Sequence, residues 1–299
     1  MAVTRALSVS DKSRDASAAV APKLQSPLQR AAIRVLHNPM GIFGASVLAV
    51  LAAMAILAPL IAPYDPLAQH AGSELLPPNA EFWLGTDQFG RDELSRIMYG
   101  AQVSFIVAVS ATAVGAITGV LAGLLAGYAR GGADSVVMRI CDALFAFPAI
   151  LLGIGLVTVL GPSLSSTAIA LAIAQAPYFA RVMRGSVLTV RDQEFVVAAH
   201  SFGAGGSWIA LRHILPNCTT ALLVQLSLSL GFSVLAEAGL SFIGLGVQPP
   251  AASWGNMLSE SQRFVDSAPW LALWPGLAIA LLVLGLNFLS DAIRDSLAP

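Results

Sequence analysis

After about residue 40 the chain alternates long apolar runs with short polar stretches. A bilayer core of about 30 Å is crossed by roughly 20 apolar residues in a helix, and six runs reach that length. They cover approximately residues 41–62, 103–128, 136–160, 165–183, 216–235 and 271–289. Gln175 and Pro177 interrupt the fourth run, which buried neighbours in a helix bundle tolerate. The pattern predicts an all-α polytopic membrane protein with six transmembrane helices.

The rest of the chain divides simply. Residues 1–37 are rich in Ala, Ser, Lys and Arg and lack an apolar core long enough for a cleavable signal. We expect a largely disordered tail with a short surface helix near 27–36, followed by one transmembrane domain over 38–299. With 56% hydrophobic and 11% charged residues the composition excludes an ordinary soluble domain. The net charge of −1 indicates no nucleic-acid partner.

Positive charge predicts the orientation. An even number of spans puts both termini on one side, and thirteen Lys and Arg residues fall on that side. Only Arg91, Arg96 and Arg263 fall on the other. Because Lys and Arg accumulate in cytoplasmic loops, we predict cytoplasmic termini and a multi-pass protein of the bacterial inner membrane.

The second run carries a glycine at every fourth position. Such spacing puts the glycines on one helix face, where another backbone can approach closely. The pattern fits packing inside one chain at least as well as contact with another subunit. The members of this glycine seam are Gly115, Gly119, Gly123 and Gly127.

A polar stretch from Glu194 to Asn217 separates the fourth and fifth runs. Asp192 is a candidate N-cap for a first helix, and glycines from Gly203 onward end that helix. Ser207 is a candidate cap for a second, short helix before Pro216. We expect a helix–turn–helix on the membrane surface, either a docking element or an ordinary connector.

The two outward-facing regions contain short motifs. In 63–102, Asp87 or Asp92 is a candidate cap for a short interfacial helix. In 246–270 and just beyond it, Trp254, Trp270 and Trp274 are candidate interface anchors.

Catalytic signatures are absent from the sequence. A phosphate-binding loop needs a lysine after a glycine, and the only lysines, Lys12 and Lys23, do not follow one. No histidine pair has metal-ligand spacing. We predict no catalytic residue, cofactor or metal in this chain. Near the ends of spans, Asp142, Glu237 and Asp291 are expected to reach water and to have structural roles.

Several motifs together resemble one family. Ala198-Ala199, Gly203 and Leu215-Pro216 match the pattern of the coupling loop in permease subunits of ABC transporters. The outward regions add further motifs of the dipeptide, oligopeptide and nickel importer group. Importers of this group have two different permease subunits, and this chain resembles the second of them. These motifs are Gly85-Thr86-Asp87, Gly90-Arg91-Asp92, Gly239 to Gly246, Pro249-Pro250 and Ser253-Trp254-Gly255. One position departs from the pattern, because Val197 stands where the family has glutamate, and Glu194 lies about one turn earlier.

The resemblance implies a type I importer permease fold whose coupling loop, residues 192–215, contacts an ATPase. Glu194, Ala198, Ala199 and Gly203 would form that contact, with Leu215 and Pro216 fixing the start of the fifth span. The implied partners are a second, homologous permease, two ATP-binding subunits that hold ATP and Mg, and an extracytoplasmic binding protein. The implied cargo is a di- or oligopeptide, with nickel chelates or glutathione as alternatives. An ATP-independent channel or secondary transporter, or a membrane scaffold, remains a rival.

Overall fold

The computed structural model describes residues 38–297, so the expected N-terminal tail lies outside the described residues. Within that range the chain is helical, with one isolated β-bridge between Thr86 and Asp92. The helices are α1 Pro39–Ile61, α2 Glu93–Ala129, α3 Gly132–Phe145, α4 Ala149–Leu160, α5 Leu164–Val190, α6 Glu194–Ser201, α7 Gly206–Ile209, a π-helical turn Ala210–Ile214, α8 Leu215–Asn217, α9 Thr219–Phe242, α10 Trp254–Ser261, a 3-10 turn Gln262–Phe264, and α11 Trp270–Leu297.

Four of the described helices, α1, α2, α9 and α11, are long and apolar enough to cross a membrane. The pair α3 and α4 makes a fifth if it counts as one bent span. Helix α5 has 27 residues, but Gln175 and Arg181 lower its mean hydropathy. All six predicted runs are therefore helical, and the number of spans stays a prediction.

The third predicted run is bent. Helices α3 and α4 meet at 90° across a short break. Pro148 stands at the N-cap of α4, where its ring and missing N–H stop α3 from continuing. This region is two helices, and the expected single segment 136–160 starts inside the first of them.

Helix α2 is longer than its apolar run. It has 37 residues, about 55 Å at the usual helical rise. Asp92 caps it by accepting a hydrogen bond from the Ser95 N–H at 2.8 Å. The expectation of a separate interfacial helix is wrong, because that segment is the first turns of α2.

The glycine seam lies against α5 of the same chain. A Cβ on Gly119 or Gly123 would collide with the carbonyl oxygen of Ala176 or Ala180, and one on Gly127 would lie 2.8 Å from the Cβ of Val187. The two backbones therefore touch with no side chain between them on α2, an arrangement that holds helices together where lipid supplies no hydrophobic drive.

The segment before α2 and helix α10 are tied together by charge. Arg91 Nε lies 2.5 Å from an oxygen of Asp87, and Arg91 and Arg96 lie 3.3 and 3.1 Å from Glu260. Both arginines are buried. This network joins the segment before α2 to α10.

Trp254 does not lie at an interface with lipid. It is fully buried and donates from Nε1 to the carbonyl oxygen of Ile97 at 3.0 Å. Gly100 makes room, since a Cβ there would lie 2.9 Å from the indole ring. The expectation of an anchor at this position is wrong.

Glu237 is also more enclosed than expected. Only 1% of its surface is exposed, and its two oxygens accept hydrogen bonds from Ser104 at 3.0 Å and Ser241 at 2.7 Å. The neighbouring helices close over it, so it does not reach water. Asp142 and Asp291 are exposed as expected.

Candidate functional site on the 192–215 loop

The 192–215 loop begins with helix α6, whose first residue is Glu194. Its carboxylate suits the positive end of the helix dipole. Gln193 holds the N-cap position without a side-chain hydrogen bond. Asp192 lies 3.5 Å from both Arg130 and Arg191, so the expected Asp192 cap is wrong because the two guanidinium groups attract that carboxylate.

Gly203 ends α6 with a full helix-capping motif. Its N–H donates to the carbonyl of His200 at 3.0 Å, and the next N–H, of Ala204, donates to Ala199 at 3.1 Å. This pair of bonds requires a left-handed residue at the turn, and Gly203 has φ of +80°. No atom lies within 4 Å of a Cβ built there, so backbone conformation, not crowding, explains the glycine.

The second half of the loop is a short helix that widens. Gly205 is the N-cap of α7, without a side-chain bond, so the expected cap at Ser207 is wrong. After Ile209 the helix widens into a π-helical turn. The N–H of Leu215, which follows this turn, donates a hydrogen bond to the carbonyl oxygen of Ala210. Pro216 has no N–H to offer the preceding turn, which accounts for the widening. Such turns are frequent at functional sites.

The underside of the loop is buried on the ends of α2 and α5. Val196, Ile209 and Ile214 are 5%, 1% and 0% exposed. They pack in one apolar cluster with residues of α2 and α5, namely Leu124, Phe179, Met183 and Val187. The loop is thus seated on the helix bundle as one piece.

The six residues expected to carry the site divide between two faces. Glu194, Ala198, Gly203 and Pro216 are exposed. Ala199 and Leu215 are half-buried and pack toward the cluster beneath the loop.

The exposed face carries large apolar side chains that the sequence motifs did not include. Phe202 is 91% exposed, beside Gly203. Phe195, Val197, Trp208 and Leu211 are each at least 40% exposed. The signal available in the sequence was three aromatic residues, Phe195, Phe202 and Trp208, beside aliphatic ones in an otherwise polar stretch. Clustered exposed apolar groups mark interaction surfaces, so the geometry of this face is that of a docking element.

Rings hold the two halves of that face together. The Trp208 ring lies 4.7 Å from the His213 ring, and the Phe195 ring lies 6.3 Å from it. A shallow groove runs beside them, lined by Ser207, Trp208, Leu211 and Arg212. In the described part of the chain no group of three or more His, Cys, Asp or Glu side chains is placed to hold a metal.

Comparison with known proteins agrees with this architecture. Residues 119–299 match the family described as binding-protein-dependent transport system inner membrane component. Residues 26–78 match the N-terminal TM domain of oligopeptide transport permease C.

Relatives extend the match over almost the whole chain. The dipeptide transport system permease protein DppC of Alkalihalophilus pseudofirmus is 42% identical over 274 residues, covering 92% of this chain and 90% of that protein. The glutathione transport system permease protein GsiD of Escherichia coli is 44% identical over 267 residues, covering 89% and 88%.

A solved structure gives the same fold. The inward-facing MetNI methionine ABC transporter aligns with a TM-score of 0.57 at 18% identity, covering 68% of this chain and 97% of that one. The chain therefore belongs to the inner-membrane permease components of binding-protein-dependent ABC transport systems, in the dipeptide and oligopeptide permease group that its motifs indicated.

Proposed function

We propose that this chain is one of two different permease subunits in an ATP-driven importer of di- and oligopeptides. The observation that carries the proposal is the two-sided 192–215 loop. Its underside is buried on α2 and α5, while its outer face presents Phe202, Trp208 and Leu211 to solvent. A helix with exposed apolar anchors suits insertion in a groove of a partner.

The partner in this account is a cytoplasmic ATP-binding subunit. Two such subunits bind ATP and Mg, so this chain needs no catalytic residue, cofactor or metal of its own. Closure of the ATPase pair moves the loop, and the apolar cluster beneath it passes the movement to α2 and α5. The transporter then follows a two-state equilibrium biased by ATP.

The remaining arrangement follows the predicted topology. Six spans, with α3 and α4 forming one of them, place both termini and the 192–215 loop in the cytoplasm. A second, homologous permease completes the path, and an extracytoplasmic binding protein delivers cargo to the outward-facing segments.

Peptide is the favoured cargo because relatives at 42% and 39% identity are named dipeptide and di/tripeptide permeases. Glutathione is the second candidate, since a relative at 44% identity is named for it. Glutathione is itself a modified tripeptide, so both fit one kind of path.

The test is purification of the tagged chain from its native membrane in mild detergent, followed by identification of its partners. We expect to recover a second permease and ATPase subunits. We also expect a co-expressed binding protein, and calorimetry would then identify the ligand of that protein. A chain recovered alone that transports in liposomes without ATP would overturn the proposal. A binding protein that prefers glutathione over dipeptides would select the second cargo.

A further inference from the structure

A polar wall lies between the middle of α5 and the first half of α9, at a face of the bundle where Tyr178 is 43% and Leu228 52% exposed. A cavity of about 260 Å³ opens there. Its lining consists of Gln175, Tyr178, Gln225, Leu228, Ser229 and Phe232. Four of these, Gln175, Tyr178, Gln225 and Ser229, form what we call the polar wall.

The two glutamine amides of the wall are bonded in the same way. Gln175 donates from Nε2 to the hydroxyl of Ser233 at 2.7 Å, and that hydroxyl also bonds Thr112 of α2 at 3.0 Å. Gln225 donates from Nε2 to the hydroxyl of Ser229 at 3.1 Å. In both residues the NH₂ group is engaged by a neighbouring hydroxyl.

The two amide oxygens differ in access, because that of Gln175 is buried and that of Gln225 is not. Gln175 is 1% exposed, and its Oε1 has no hydrogen-bond partner among residues 38–297. A buried acceptor without a donor is unfavourable, and within a bundle that crosses a bilayer no lipid group satisfies it. Polar side chains at such depth typically mark a substrate path.

The chemistry of the wall fits a peptide backbone. Amide oxygens accept from N–H donors, and an extended peptide offers such donors at regular spacing whatever its side chains. Leu228 and Phe232 add apolar surface beside them without selecting a particular residue. The cavity is smaller than the ~300–1,000 Å³ typical of complete ligand pockets, as expected if a second permease supplies the other half.

We propose that Gln175, Tyr178, Gln225 and Ser229 line this subunit's half of the translocation path, where the accessible amide oxygen of Gln225 holds a passing peptide by its backbone N–H groups. The inference rests on the proposed importer function and names the residues that contact its cargo.

The test uses the complete transporter in proteoliposomes with radiolabelled trialanine and its N-methylated analogue, which lacks one backbone N–H. Gln225→Leu keeps the approximate size of the side chain and removes the amide. We expect the KM for trialanine uptake to rise about tenfold, with subunit assembly unchanged, and the preference for trialanine over its N-methylated analogue to shrink. Gln262→Leu, at an exposed position outside the wall, should leave both unchanged.

A photo-crosslinking amino acid at Leu228 provides a readout that does not depend on turnover. It should label the peptide, while the same group at Ile56, which is 76% exposed on α1, should not. One result would overturn the wall and leave the proposed function standing. In it, the transporter with the photo-crosslinking group at Leu228 imports peptide normally, but the group labels only the second permease and no peptide. Failure of the unmodified transporter to import any peptide would overturn both.

Discussion

Arg191 donates a hydrogen bond from Nη1 to the carbonyl oxygen of Gly127 at 2.7 Å. Arg191 directly follows α5, and Gly127 is the last member of the glycine seam on α2. The guanidinium group thereby satisfies a carbonyl that the end of a helix leaves unpaired. It also joins α2 and α5 at the point where the 192–215 loop begins, so a displacement of the loop acts on both helices.

Loss of this contact should loosen the connection between loop and bundle. Arg191→Met removes a hydrogen bond from a charged group, at a cost of ~1.5–3 kcal/mol. We expect a lower thermal unfolding midpoint and weaker stimulation of ATP hydrolysis by loaded binding protein. The exposed Arg139 supplies the control, since Arg139→Met should change neither quantity. Unaltered stimulation in Arg191→Met would show that the contact does not transmit movement.

Substitutions of Gly203 should separate backbone strain from crowding. Because φ is +80°, Gly203→Val strains the end of α6 by ~1–2 kcal/mol or more, and we expect uncoupled ATP hydrolysis or failure to assemble with the ATPase. Gly203→Asn tolerates the left-handed conformation and should retain most transport. Peptide uptake and co-purification of the ATPase measure both effects. Wild-type uptake in Gly203→Val would contradict the assigned role of this turn.

Phe202 should matter for docking and not for folding. Its side chain is 91% exposed, so Phe202→Ser should leave the stability of the isolated permease unchanged. A buried aromatic anchor at an interface contributes ~2 kcal/mol or more, and the affinity for the ATPase should fall at least about 30-fold. Val265→Ser, at an exposed apolar position outside the loop, is the matched control. Equal affinities in the two variants would place the ATPase elsewhere.

The glycine seam should reject side chains by overpacking. Gly123→Leu forces a side chain against the Ala180 backbone, and we expect destabilisation of ~1–3 kcal/mol or more and a large loss of folded protein. Gly155→Leu on α4 has no atom within 4 Å of its Cβ and should fold normally. Fluorescence-detected size-exclusion chromatography after heating distinguishes them. Similar profiles for both variants would mean that α2 and α5 do not meet along this seam.

The sequence predicted what depends on local periodicity. The apolar runs become helices, the glycines at every fourth position lie on one face, and the αL turn at Gly203 stops α6. The cap predicted at Asp192 was wrong because nearby arginines attract its carboxylate. The cap predicted at Ser207 was wrong because the helix already begins at Gly206. Local propensity does not include such competing partners.

Residues that depend on distant contacts were beyond sequence reasoning. Trp254 is buried and hydrogen-bonded to Ile97, which lies 157 positions away in the sequence. Glu237 is buried and hydrogen-bonded to Ser104, which lies 133 positions away. The polar wall likewise needs α5 and α9 to be adjacent before Gln175 and Gln225 face one cavity. Exposure of Phe202 follows from the seating of the loop, which no short pattern specifies.

Cross-linking from the loop tests the central claim most directly. Ser201 is exposed beside Phe202, and Ser201→Cys introduces a single accessible thiol once the buried Cys141 and Cys218 are replaced by alanine. In native membranes with the full transporter, a short reagent with one thiol-reactive end and one photoactivated end should join this position to an ATP-binding subunit, with a yield that changes when ATP is added. Exclusive cross-linking to another class of protein, or none in a complex that contains the ATPase, would contradict the account.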